Sequence, residues 1–394
     1  MKILLVHNFY EHPGGEDHVF NAEKALLLHY GHKVIEYVDN NKRLTKINVI
    51  SNFINSLWSK KTIRHLNKIL RTEKPDIVHF HNIFFAISPS AYYACKKLKF
   101  PVVQTLHNYR LICSASICYR NNRLCEECYA GKMPYRGILH ACYRGSRLQT
   151  FGITLIVSLH RWLGTWQKKI DLYIALSNFA SQLFIENGVA RKRIVIKSNF
   201  VYPDPGMRDT TNIGKYALFV GRLTDEKGVL TLLKAWDMLH GIPLKIVGDG
   251  RLFTDVKKII SENSNKSIEL LKWRNREETF KLMKASRFLV FPSEWYECFP
   301  LVLIETFACG VPVIASRLGA MKEIITDNYN GILFTPGNTE KLAEKIAWAW
   351  KHEDAIKEMG RNARKEFELK YTGEKNYGLL INIYKQAIAH NSKR

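Results

Sequence analysis

Residues 288–316 read FLVFPSEWYECFPLVLIETFACGVPVIAS, and this stretch constrains the fold more tightly than any other. The apolar run Phe288–Phe291 fits a strand buried on both faces, which Pro292 and Ser293 bring to an end. The pattern from Phe299 to Cys309 predicts a helix, with Gly310 at the left-handed position that closes it. Residues Pro312–Ala315 follow as the next strand. A strand, a loop carrying Glu294 and Glu297, a helix carrying Glu305 and a second strand together make one unit of a parallel sheet. Seven residues separate Glu297 from Glu305, which leaves the first in the loop and the second about two turns into the helix, so that both can face one ligand. The helix start offers unpaired amides and a positive dipole, so an anion such as a diphosphate fits beside it.

At 394 residues the chain exceeds one ordinary hydrophobic core, so two domains are expected. Its 46% of hydrophobic residues fits a folded globular protein and not a disordered one. No run approaches about 18 uninterrupted apolar residues, so no transmembrane span is expected. The apolar start Ile3–Val6 is too short for a secretory signal and reads as a first strand, which places the expected site of action in the cytoplasm. Lys and Arg number 59 against 36 Asp and Glu, and the resulting formal charge of +23 favours polyanionic partners. The basic residues are spread widely with no nucleic-acid-binding motif, which ranks an anionic inner-membrane surface above nucleic acid.

Strands expected at 2–7, 33–38, 76–80, 101–106, 171–176 and 193–196 alternate with helical patterns, as in a doubly wound α/β domain. The turn after the first strand holds Gly14 and Gly15, which let a ligand approach the backbone where a helix from Glu16 to Tyr30 begins. A plain strand-to-helix turn would look the same. Residues 51–74 set Lys60, Lys61, Arg64, Lys68 and Arg71 against Leu57, Ile63, Leu66 and Leu70, a face that suits a membrane surface and ordinary solvent equally well. Within 148–166, Phe151, Leu155, Leu159, Trp162 and Trp166 share a side, a pattern that favours core packing. Strands ending at His79–His81 and at His107–Asn108 bring polar residues to the edge where open α/β sheets bind ligands.

Five of the eight cysteines fall between Cys113 and Cys142. Reduced thiols are the rule in a cytoplasmic protein, so disulfides are not expected. Cys125 and Cys128 have the two-residue gap with which two thiolates grip a tetrahedral ion; with Cys113 and Cys142 they would make a four-cysteine structural zinc site. His140 is a substitute ligand, and four unliganded thiols are the competing reading.

A Pro-rich passage at 202–206, followed by Asp209–Asn212, is the expected linker. The second half opens with a strand at 216–221 and the turn GRLTDEKG, in which Arg222 and Lys227 are placed to converge on phosphate oxygens. Further strands are expected at 243–247, 267–271 and 332–334. No Asp-x-Asp triplet occurs, which fits charge neutralisation by side chains and a helix dipole and calls for no catalytic metal. Paired carboxylates of the glycosidase kind are a weaker reading, because Arg222 and Lys227 would have no part in it.

The E-x7-E spacing, the A-x-G-x-PV that follows and the GR-x4-KG turn together resemble the retaining glycosyltransferases of glycosyltransferase family 4. The resemblance implies a GT-B fold: a domain at 1–203 that binds the acceptor and carries a cysteine-rich insertion at 109–146, a nucleotide-sugar-binding domain at 204–371, and a helix at 372–394 that crosses back to the first. It implies that Arg222 and Lys227 hold the diphosphate of a UDP- or GDP-sugar, that Glu297 orients the sugar, that Glu305 binds ribose and that His107 lies against the donor sugar. By the same resemblance Gly14 and Gly15 lie over donor phosphates or acceptor, Lys272 and Trp273 border the base, and Phe299 and Leu301 contribute at the helix start. Pro300 stands where the family more commonly has glycine, which removes one backbone donor. A similar cysteine-bearing insertion occurs in some bacterial members, where Cys118 would be the spare thiol. The expected setting is bacterial surface-polysaccharide assembly on a lipid-linked saccharide acceptor. A sugar-nucleotide epimerase of similar fold and an inactive membrane-bound binding protein are the alternatives.

Overall fold

The computed structural model describes residues 1–10, 14–42, 49–129, 134–209, 214–262 and 267–392. Glu11–Pro13 of the first turn and Thr210–Asn212 of the expected linker lie outside them. The chain divides into two compact units. One comprises Met1–Cys118, Cys125–Asn199 and Glu374–Arg394, the other Tyr119–Leu124 and Phe200–Gly373.

The strands, in chain order, are β1 (Lys2–Phe9), β2 (Lys33–Asn40), β3 (Ile77–Asn82), β4 (Val102–Thr105), β5 (Tyr119–Arg120), β6 (Arg123–Leu124), β7 (Leu172–Ala175) and β8 (Ile194–Ile196). They continue as β9 (Ala217–Val220), β10 (Leu244–Val247), β11 (Ile268–Leu271), β12 (Phe288–Phe291), β13 (Val313–Ser316) and β14 (Gly331–Phe334). The first unit holds a six-stranded parallel sheet in the order β2-β1-β3-β4-β7-β8, the second another in the order β11-β10-β9-β12-β13-β14. Each is α/β and Rossmann-like. Strands such as β9 (ALFV) and β12 (FLVF) are continuous apolar runs because helices cover both faces of a parallel sheet. The C-terminal helix Gly373–Ser392 sets Leu380, Ile383, Tyr384 and Ala387 into the core of the first unit, against Ile3, Leu5, Phe20 and Ile174. The short antiparallel hairpin β5–β6 groups with the second unit.

Three local expectations change. Residues 51–74 form two helices, Val49–Leu57 and Lys60–Glu73, because the Ser59 hydroxyl accepts from Thr62 N–H at 3.1 Å and starts a new helix. Leu66 and Leu70 of the second helix are buried, so only its basic face meets solvent. In helix Arg147–Trp162 the buried face is Ile153, Ile156 and Val157, while Phe151 and Trp162 of the expected core stripe are exposed, Trp162 by 82%. The helix after β12 runs Leu301–Ala308, starting two residues late, because Pro300 takes an extended ψ of 107° as its cap and restricts Phe299 before it. Gly310 closes it at φ +69°, in the left-handed region.

Candidate active site

The strand order of the second sheet reverses between β9 and β12, and ligands of open α/β sheets bind at the carboxyl ends of strands flanking such a reversal. The loops leaving those two strands are Gly221–Gly228 and Pro292–Pro300, the two segments that the sequence singles out. Gly228 brings them together. A Cβ on it would lie 2.0 Å from Pro292 O, and its φ of +70° is a conformation other residues rarely adopt, so this close approach requires glycine.

At that contact Lys227 Nζ donates to Glu297 Oε1 at 2.6 Å. The same oxygen accepts from Ser293 Oγ at 2.9 Å and from Trp295 Nε1 at 2.8 Å. The ammonium also lies 5.6 Å from the ring centre of Phe291 and 5.2 Å from that of Trp295. Glu297 is buried and held by three donors, so its orientation is fixed before any ligand arrives. The neighbouring Glu294 is fixed as well: Thr231 Oγ1 donates to its Oε1 at 2.5 Å and Tyr119 of the hairpin donates to its Oε2 at 3.2 Å.

The other nominated residues are placed differently. Arg222 is exposed, and among the described residues its guanidinium meets no carboxylate. Glu305 does not pair with Arg222 or Lys227; its Oε1 accepts from Arg276 Nε at 3.2 Å. Burial raises the Glu305 carboxyl above its ordinary range, and Arg276 opposes the rise. Arg276 escaped the sequence reading, although Asn275 and Glu278 form a capping box that announces a helix starting there. Lys272 and Trp273 both face solvent, Trp273 by 68%. Phe299 is buried edge-on against Tyr371, 5.8 Å between ring centres. Leu301 is the first residue of the helix, in the turn whose amides precede the intrahelical ladder.

In the first unit His107 Nε2 lies 3.0 Å from His81 Nδ1. Beside it, Asn108 Nδ2 donates to Glu16 Oε2 at 3.4 Å. Burial of the Glu16 carboxyl, with Asp17 next to it, pushes its pKa up to about 7, a titrating group the sequence reading passed over. Gly14 and Gly15 are not demanded by packing, since a Cβ on either would meet nothing within 4 Å. The Gly14 N–H already donates to Asp17 Oδ2 at 2.8 Å, so an anion at this helix start would have to share it with a carboxylate.

The four nominated cysteines all sit in the first unit, and none of the eight cysteines is in a disulfide. Burial, followed by the neighbouring Cys113, pushes the Cys128 thiol up to about 11, and Cys125 and Cys142 add smaller contributions. Cys113 is hydrogen-bonded by Cys118, which lowers it to about 6. No three of these sulfur atoms lie within 4.8 Å of one another; the group that does meet that distance among the described residues is Glu23, His79 and His81. Cys128 is nonetheless within electrostatic reach of the other three nominated thiols. Metal-free purification followed by elemental analysis tests the zinc expectation: about one zinc per chain supports it, and less than about 0.2 with a folded insertion contradicts it.

Comparisons with known proteins find similarity in both halves of the chain. Residues 14–204 match the family described as Glycosyltransferase Family 4, and residues 209–366 match Glycosyl transferases group 1. The chain is similar in both halves to family-4-type glycosyltransferases. It is 28% identical over 387 residues, 95% of each chain, to the uncharacterized glycosyltransferase MJ1178 of Methanocaldococcus jannaschii. It is also 28% identical over 171 residues, 43% of this chain and 46% of the other, to the O-antigen chain mannosyltransferase C of Escherichia coli. Its fold is similar to that of Anabaena HepE crystallised with UDP-glucose, with a TM-score of 0.67 and 16% identity over 98% of this chain and 100% of the other. With two Rossmann-like units, each built on a six-stranded parallel sheet, the chain has the GT-B fold.

Proposed function

We propose that this transferase moves a sugar from a UDP- or GDP-sugar onto a lipid-linked saccharide in bacterial surface-polysaccharide assembly, with retention at the anomeric carbon. The observation that carries the reading is Lys227 held on Glu297 at the reversal of the second sheet. A preset ammonium there answers charge as it develops on the departing diphosphate, and Arg222 and the first-turn amides at Leu301 add to it. Glu297 accepts hydrogen bonds from the sugar hydroxyls and Glu305 from the ribose. His107 faces the donor sugar, and Gly14 and Gly15 lie near phosphates or acceptor. As the bond between anomeric carbon and diphosphate breaks, the acceptor oxygen bonds to the same face and its proton passes to a leaving phosphate oxygen. No catalytic metal and no separate base are called for. A thermal-shift screen with UDP- and GDP-sugars tests the reading: at least one is expected to raise the melting temperature of the protein and not of Lys227→Ala. No shift with any of them would contradict it.

The lipid-linked acceptor is supported by the surface of the first unit. Helices Val49–Leu57 and Arg147–Trp162 pack closely, Gly152 against Phe53, and leave Ile50, Ile54, Leu148, Phe151 and Trp162 exposed. Helix Lys60–Glu73 contributes exposed Lys60, Lys61, Arg64 and Lys68 in the same unit. Apolar side chains with basic residues suit an anionic inner-membrane surface. No helix of the described residues is long and apolar enough to cross a membrane. Vesicles rich in phosphatidylglycerol are expected to sediment the protein and phosphatidylcholine vesicles are not. Replacing Ile54 and Trp162 together by serine should weaken that binding at least about tenfold, and unchanged binding would contradict the assignment.

A further inference from the structure

Behind His107 the first unit buries a line of ionisable side chains. Lys197 and Glu23 are both sealed from solvent, and Lys197 Nζ donates to Glu23 Oε1 at 2.6 Å. The other oxygen, Glu23 Oε2, lies 3.2 Å from His81 Nε2, and His81 Nδ1 lies 3.0 Å from His107 Nε2 with the two rings stacked. His79 stands to the side. Its Nδ1 meets the Tyr384 hydroxyl and its Nε2 meets Thr105 Oγ1, each at 2.8 Å.

A neutral imidazole carries one proton, so in a row of rings the placement on one dictates the next. Glu23 is the fixed end of the row. Burial works against its charge, but the adjacent Lys197 ammonium and His81 hold the carboxyl well below the ordinary carboxylate range. An ionised Oε2 facing a bare His81 Nε2 would oppose two lone pairs at 3.2 Å in a site closed to water, where such a conflict is most costly. The His81 proton therefore sits on Nε2, although that contact is off the line of an ideal hydrogen bond. His81 Nδ1 then accepts, and His107 Nε2 must donate to it.

We propose that Lys197, Glu23 and His81 are a positioning relay that fixes His107 in its Nε2–H tautomer, so that it offers Nδ1 as an acceptor to a ligand hydroxyl. The use of His107 rests on the proposed function; the tautomer is a property of the free protein. Glu23, His79 and His81 are also close enough to hold a cation. The Lys197 ammonium on Glu23 and the hydroxyl partners of His79 favour protons over a metal there.

Long-range proton–nitrogen NMR of the full chain labelled with ¹⁵N-histidine reads the tautomers directly, with His107 assigned by the loss of its signals in His107→Gln. Near neutral pH, His81 and His107 are both expected to be protonated at Nε2 and bare at Nδ1. In Glu23→Gln, Lys197 keeps the amide oxygen and the amide NH2 turns to His81, so both rings should switch to Nδ1–H. A His107 protonated at Nδ1 in the unaltered protein would overturn the proposal, as would an unchanged His107 in folded Glu23→Gln or one stoichiometric metal on His81. If Glu23→Gln does not fold, the spectrum of the unaltered protein decides alone. With a donor and acceptor in hand, Glu23→Gln should lower kcat about ten- to a hundredfold and move the donor KM by less than about threefold. Loss in KM alone would contradict the positioning role, whereas failure of the transfer assay in the unaltered protein would leave the spectra standing.

Discussion

Lys227→Ala is expected to lower the rate of sugar transfer at least about 100-fold, and Glu297→Ala by a similar factor. The size follows from what each side chain does. The ammonium sits 2.6 Å from Glu297 before any ligand binds, so no reorganisation is needed when charge develops on the diphosphate. Removing it leaves that charge to exposed Arg222 and to the helix amides. Because the two residues form one unit, the double variant should cost little more than either single change. Initial rates at saturating donor check both, with circular dichroism to show that the variants are folded. Rates within about threefold of the unaltered enzyme would remove both residues from the mechanism.

Lys197→Met is expected to destabilise the first unit by about 3–5 kcal/mol near neutral pH, since it strands Glu23 as an uncompensated buried charge. The pH dependence has a definite sign. The folded-state pKa of Glu23 is depressed, so the stabilisation from the pair is complete above the unfolded value of about 4.3 and is lost as pH falls through the folded value below it. In Lys197→Met burial acts without the ammonium to oppose it, so the carboxyl takes up a proton more readily. The deficit should then narrow on acidification. Urea midpoints at neutral and mildly acid pH measure it, and a neutral-pH deficit under about 1 kcal/mol would contradict the account.

The second sheet was readable because its strands are buried on both faces and so appear as unbroken apolar runs, and the turns after β9 and β12 carry their glycine and carboxylates at fixed spacing. What was not readable depends on tertiary neighbours. Arg276 reaches Glu305 across 29 residues of chain from beyond the edge strand β11, and nothing in the local spacing pairs them. Lys197 meets Glu23 across 174 residues, so the environment of His107 was invisible although the histidine itself was nominated. Helix Arg147–Trp162 misled for a different reason: apolar residues occur on most of its sides, and periodicity then cannot say which side is buried. The split between Leu57 and Lys60 had a local signal in Ser59, whose capping role is a sequence-level feature.

The central claim is that the loops after β9 and β12 hold a nucleotide diphosphate. A crystal structure with the nucleotide diphosphate that most stabilises the protein tests it most directly. The account predicts diphosphate oxygens within hydrogen-bond reach of Lys227 and of the amides at Leu301, with the ribose beside Glu305. A nucleotide bound elsewhere, with Lys227 and Glu297 untouched by it, would contradict it.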